Sequence, residues 1–70
     1  MDGISIHIYE IRLNGKLKAT AETYAIGLRY YQEMLNKMTI KHSSRLCEEN
    51  DVITFRNIST NAILEQASFN

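Results

Sequence analysis

Apolar side chains take alternate positions at the start of the chain: Ile4, Ile6 and Ile8, then, after a slip of one residue, Tyr9, Ile11 and Leu13. A period of two puts one set of side chains on one side of an extended backbone, so both halves read as strand. The change of phase predicts a β-bulge near His7 to Tyr9, unless both faces of the strand are covered. Asn14-Gly15 follows directly, and because both residues tolerate positive φ, a tight hairpin is expected there. Two registers compete. A two-residue loop sets Arg12 opposite Leu17 and Ile11 opposite Lys18, which mixes apolar and charged side chains on each face. A three-residue loop of Leu13, Asn14 and Gly15 pairs Ile11 with Leu17 and Tyr9 with Ala19, and it places Glu10 beside Lys18. The second register segregates the faces and is the one expected.

From Thr20 the period changes to 3.6. Ala21, Tyr24, Ala25, Leu28, Tyr31, Leu35 and Met38 form one stripe along a helix of about five turns, with Thr20 as its N-cap and Glu22 in the first turn. Ile26, Tyr30 and Met34 recur every fourth residue on the opposite side. Gly27 lies within the helix, where it costs about 1 kcal/mol relative to alanine. It reads either as a mild defect or as a point where another backbone approaches beside Ile26, Tyr30 and Met34. The helix is expected to fray near Lys41, since His42-Ser43-Ser44 is a poor helical run. Arg45 to Glu49 is expected to make one short turn that Asn50-Asp51 breaks.

Val52 to Ile58 is rich in β-branched and aromatic residues and reads as a strand with Ile53 and Phe55 toward the core. Ser59-Thr60-Asn61 reads as a turn. In Ala62 to Phe69 the Ala, Leu, Glu and Gln residues favour helix, whereas Ile63, Ala67 and Phe69 fit an alternation interrupted at Glu65. The short connection favours a strand closing a second hairpin. The order is then ββαββ. It describes an α+β fold, with residues 1–70 as one domain, two hairpins in one antiparallel sheet and the long helix on one face.

At this length a fold removes only roughly 60% of the unfolded surface from water, so the core is thin. Hydrophobic residues at 44% and charged residues at 23% place the chain with globular proteins and not with disordered ones. Cys47 is the single cysteine, which excludes an internal disulfide and leaves oligomerisation or tight packing as the source of further stability. Eight Lys and Arg balance eight Asp and Glu, so no net field draws the protein to nucleic acid or anionic lipid. The opening Met1-Asp2-Gly3-Ile4 has no basic lead, no run is apolar enough for a membrane span, and a cytoplasmic protein is expected.

Candidate chemistry is sparse. Glu48 and Glu49 carry the wrong charge to favour a thiolate at Cys47, and no catalytic residue is assigned. His42, Cys47, Glu48, Glu49 and Asp51 are suitable ligand types, but their spacing matches neither zinc nor calcium sites. The segment reads as a solvated loop, with no metal or cofactor expected.

The leading expectation is therefore a non-catalytic protein-binding modulator or inhibitor, of the type of a phage or mobile-element accessory protein. It would act as a homodimer, with Ile26, Tyr30 and Met34 at the dimer or partner interface. An alternative is a small DNA- or RNA-binding regulator that uses Arg12, Lys16 and Lys18 of the first hairpin, with Arg29, Lys37, Lys41, His42 and Arg45 as a further basic side. A third is an oligomer that sequesters a small ligand against its tyrosines.

Overall fold

A computed structural model describes residues 8–43 and 49–69. Ile4, Ile6 and His7, where the phase slip expected over His7 to Tyr9 begins, and residues 45–48 of the turn expected at Arg45 to Glu49 lie outside the described residues. The elements are β1 (Tyr9–Leu13), β2 (Lys16–Ala21), α1 (Tyr24–His42), β3 (Asp51–Asn57) and β4 (Ala62–Phe69). They form one sheet in the order β2-β1-β3-β4, with every neighbouring pair antiparallel. This is the ββαββ α+β architecture, and β4 is a strand. α1 carries the chain from the edge strand β2 past β1 to β3, and it touches all four strands.

Alternation fixes which side of the sheet is covered. Ile11 pairs with Phe55 and Leu13 with Ile53, and these side chains meet Tyr31 and Met38 of the helix in the buried core. Phe55 is its centre, with ring centroids 5.5 Å from Tyr24, 5.7 Å from Tyr9 and 5.9 Å from Tyr31. Burial of one such side chain contributes about 1.5–3 kcal/mol.

The first hairpin corrects the expected register. Its loop has two residues, Asn14 at φ 54° and Gly15 at φ 83°, and Leu13 pairs with Lys16 and Arg12 with Leu17. Two consecutive positive-φ residues give the loop a twist that matches the strands, which favours the shorter connection. The clash of faces that spoke against it is removed by a bulge: Lys18 is an extra residue, and pairing resumes at Ile11 with Ala19.

The helix start is also corrected. Thr20 and Ala21 pair with Glu10 and Tyr9 as the end of β2, so their backbone groups are committed to the sheet ladder. Thr23 caps the helix instead, its Oγ1 accepting a hydrogen bond from the Ile26 N–H at 3.2 Å. Gly27, Tyr31 and Met38 form the buried line, and Ala25 is exposed. A Cβ on Gly27 would lie 2.7 Å from Phe55 Cε1 and 3.3 Å from Tyr9 Cβ. Glycine here lets the helix sit close to its own sheet, a role neither expected reading of Gly27 described.

Candidate functional site: the open face of the sheet

α1 covers one face of the sheet, and no described element covers the other. Cross-strand partners share a face. On the open face Glu10 lies between Thr20 and Arg56, Arg12 lies between Leu17 and Thr54, and Arg56 lies beside Ile63. The result is a diagonal stripe across all four strands: Leu17, Arg12, Glu10, Arg56, Ile63. An aliphatic side chain stands at each end, and a carboxylate flanked by two guanidiniums stands at the centre.

The centre is tightly organised. Glu10 is only 4% exposed although it lies on the open face, because both arginines close over it. Arg12 Nε donates to Glu10 Oε1 at 2.9 Å and Nη2 donates to Oε2 at 3.2 Å. Arg56 Nε donates to Oε1 at 2.8 Å, and its Nη2 lies 2.6 Å from the same oxygen. The far ends of the guanidiniums are held too: Arg12 Nη1 donates to the Gly15 carbonyl at 2.8 Å, and Arg56 Nη1 donates to Asn61 Oδ1. The Arg12 hydrogen bond lowers the Glu10 pKa; burial opposes it, and the Arg56 hydrogen bond assists it. In return Glu10 raises the Arg12 pKa. Two cations and one anion leave the stripe with a net positive charge.

Its apolar ends depend on two bulges. In β2 the extra residue Lys18 allows Leu17 to face outward while Ala19 and Ala21 face the helix. In β4 the extra residue Leu64 allows Ile63 to face outward beside Arg56, while Ala67 and Phe69 take the side of Ile53 and Asp51. Without the bulges, either the aliphatic residue turns inward or the residues beyond it turn outward. Leu17 is 51% exposed and Ile63 is 57% exposed. Tyr9, Phe55 and Phe69 all fall on the helix side by the same registers, leaving the described part of the open face without an aromatic ring on β1, β3 or β4.

A second polar cluster lies at the helix end of the molecule. Asp51, 2% exposed, accepts from Asn14 Nδ2 at 2.8 Å and Lys41 Nζ at 2.9 Å, and it stands 2.7 Å from His42 Nε2. Asn14 also receives the Val52 N–H at 2.8 Å, so the cluster joins the first hairpin turn, the end of α1 and the start of β3. The Lys41 hydrogen bond, followed by those from His42 and Asn14, holds the Asp51 carboxyl well below the ordinary carboxylate range. Asp51 is thus an interior tie and not part of a solvated loop, which corrects that expectation.

Of the residues singled out in the sequence, Ile26 is 41% exposed, whereas Tyr30 and Met34 are half-buried and pack against the core. The three do not form a face opposite the core, because the buried line of the helix passes beside them. Arg12 belongs to the stripe, Lys16 closes the turn and Lys18 is the bulge residue, both lysines exposed. Cys47 and Glu48 lie outside the described residues; His42 and Asp51 meet, with Lys41 and not Cys47 beside them. Sequence reading missed Glu10, Arg56, Leu17 and Ile63: the β1–β3 pairing brings Glu10 to Arg56, β1–β2 sets Leu17 beside Arg12, and β3–β4 sets Ile63 beside Arg56. The described residues contain no group of three or more potential metal ligands and no helix long and apolar enough to cross a membrane. No protein-family model matches the chain, and neither does any curated protein or solved structure.

Proposed function

We propose that this protein is a non-catalytic protein-binding module and that the open face of its sheet is the contact surface. The stripe from Leu17 to Ile63 is the observation that carries this reading. The cores of protein interfaces are more apolar than their rims and are enriched in arginine, and the stripe combines exposed apolar side chains with two arginines. Arginines already held in place lose little conformational freedom when a partner docks, which favours affinity. Bulges next to both arginines re-aim one apolar residue each, and bulges are common where a strand must present a side chain for use. The cytoplasmic modulator or inhibitor role expected from the sequence belongs to the same proposal.

Capture from the native host with immobilised protein, with and without nuclease, tests it. The comparison is with a double variant, Leu17→Ser with Ile63→Ser. The expected result is a protein retained by wild type despite nuclease and lost by the variant, while the two forms melt at the same temperature. Equal retention by both forms would place the contact elsewhere. Sedimentation at rising concentration separates a second copy of this chain from a foreign partner.

A further inference from the structure

Resting on the protein-binding reading above, we propose the chemistry of the partner: a segment in which one Asp or Glu lies between apolar side chains. Its carboxylate docks on the guanidiniums of Arg12 and Arg56, and its apolar groups dock on Leu17 and Ile63. The charge of the stripe motivates this choice. Glu10 is one carboxylate shared by two guanidiniums, and the Arg12 and Arg56 side chains keep 37% and 29% exposure. One further negative charge therefore balances the face, and guanidinium groups receive a carboxylate with good directional geometry.

The same charges weigh against other occupants. A second copy laid face to face would oppose four guanidiniums with two carboxylates that are already bound, which is repulsive. Nucleic acid would satisfy the arginines, but its bases seek aromatic platforms, and the rings of Tyr9, Phe55 and Phe69 are on the other side of the sheet. Aliphatic ends suit a protein. Leu17 and Ile63 stand on opposite edge strands and two residues apart along the strand direction, about 16 Å from each other over the sheet. A partner helix reaches both with apolar residues about three turns apart and its acidic residue midway.

Selection from a library of random peptides about four helical turns long, against the immobilised full chain, tests the proposal. Peptides displaced by one another and lost on the Leu17→Ser, Ile63→Ser variant are those at the open face. They are expected to carry Asp or Glu between apolar residues and to weaken as salt is raised. Their affinity should fall about tenfold or more with Arg12→Gln or Arg56→Gln, and it should be unchanged with Lys37→Gln on the exposed side of α1. Melting curves establish that each variant is folded. If a glutamine variant is not, Arg56→Lys keeps the charge, removes the forked geometry and should still weaken binding. Open-face peptides without an acidic residue, or indifferent to both arginines, would overturn this inference while leaving the protein-binding reading intact. Absence of any peptide sensitive to Leu17 and Ile63 would overturn the reading itself. So would a single-stranded DNA oligonucleotide that binds the open face in their place.

Discussion

Gly27 shows how a single side-chain position ties helix to sheet. Replacement by alanine favours the helix by about 1 kcal/mol through backbone entropy alone. The new methyl, however, would stand 2.7 Å from Phe55 Cε1 and 3.0 Å from Cζ, in a ring already enclosed by Tyr9, Tyr24 and Tyr31. Overpacking of this kind costs about 1–3 kcal/mol. Gly27→Ala is therefore expected to lower stability by up to about 2 kcal/mol in denaturant melts, against its helix propensity. In a Phe55→Leu background those ring atoms are gone, and the same change should become neutral or stabilising. A gain in stability from Gly27→Ala in the wild-type background would show that the ring moves aside freely. The sequence marked Gly27 as either a helical defect or a point of close approach by another backbone, but the ring that explains it comes from a residue 28 positions away.

Among the elements, the first hairpin was the easiest to find and the hardest to register. Asn14-Gly15 locates its turn, yet segregation of the faces points to the wrong loop length, because the bulge at Lys18 restores the faces of the shorter loop. Gly15 has φ 83°, and a Cβ there would meet no atom within 4 Å. Any penalty for substitution is then a backbone penalty. Gly15→Val should cost more than about 1 kcal/mol, since a β-branched residue resists positive φ, and Gly15→Asn should cost less. Denaturant midpoints of the three proteins give the ranking, and equal midpoints for valine and glycine would contradict the strained geometry. β4 departs in the same way: an alternation of Ile63, Ala67 and Phe69 interrupted at Glu65 puts the three apolar residues on one face, but the bulge at Leu64 turns Ile63 to the open face while Glu65, Ala67 and Phe69 lie on the helix side.

At the scale of the whole molecule, two buried carboxylates join elements that are distant in the chain. Glu10 links β1 to β3 through Arg56, and Asp51 links the first turn, α1 and β3. Their ordinary values are 4.5 and 3.8, and both are lowered in the folded protein, chiefly by the hydrogen bonds from Arg12 and Lys41 respectively. A group whose pKa falls on folding contributes stability above its unfolded value and loses it as pH falls through the folded value. The melting temperature should therefore decline below about pH 4 as these carboxylates take up protons, while above about pH 5 they contribute no slope. Asp51→Asn should lower the melting temperature at neutral pH and flatten the acid decline. Identical acid limbs for wild type and variant would show that Asp51 plays no part in it.

Sequence by itself determined the element types and most of the core. Period two against 3.6 separated strand from helix, and alternation identified Ile11, Ile53 and Phe55, all fully buried. These are local properties, set by where each backbone conformation points its side chains. Tertiary structure decided where strand gives way to helix: Thr20, expected as the N-cap, and Ala21, expected at the head of the helical stripe, belong to β2, because the ladder with β1 satisfies their backbone groups. It also decided the character of the polar residues. Glu10, Arg12 and Arg56 look like ordinary solvated charges in sequence, and Asp51 looks like a turn residue. Each acquires its environment from a strand pairing or helix end brought close only on folding. The stripe on the open face is the clearest case, since its five residues come from all four strands and two bulges choose which aliphatic side chains complete it.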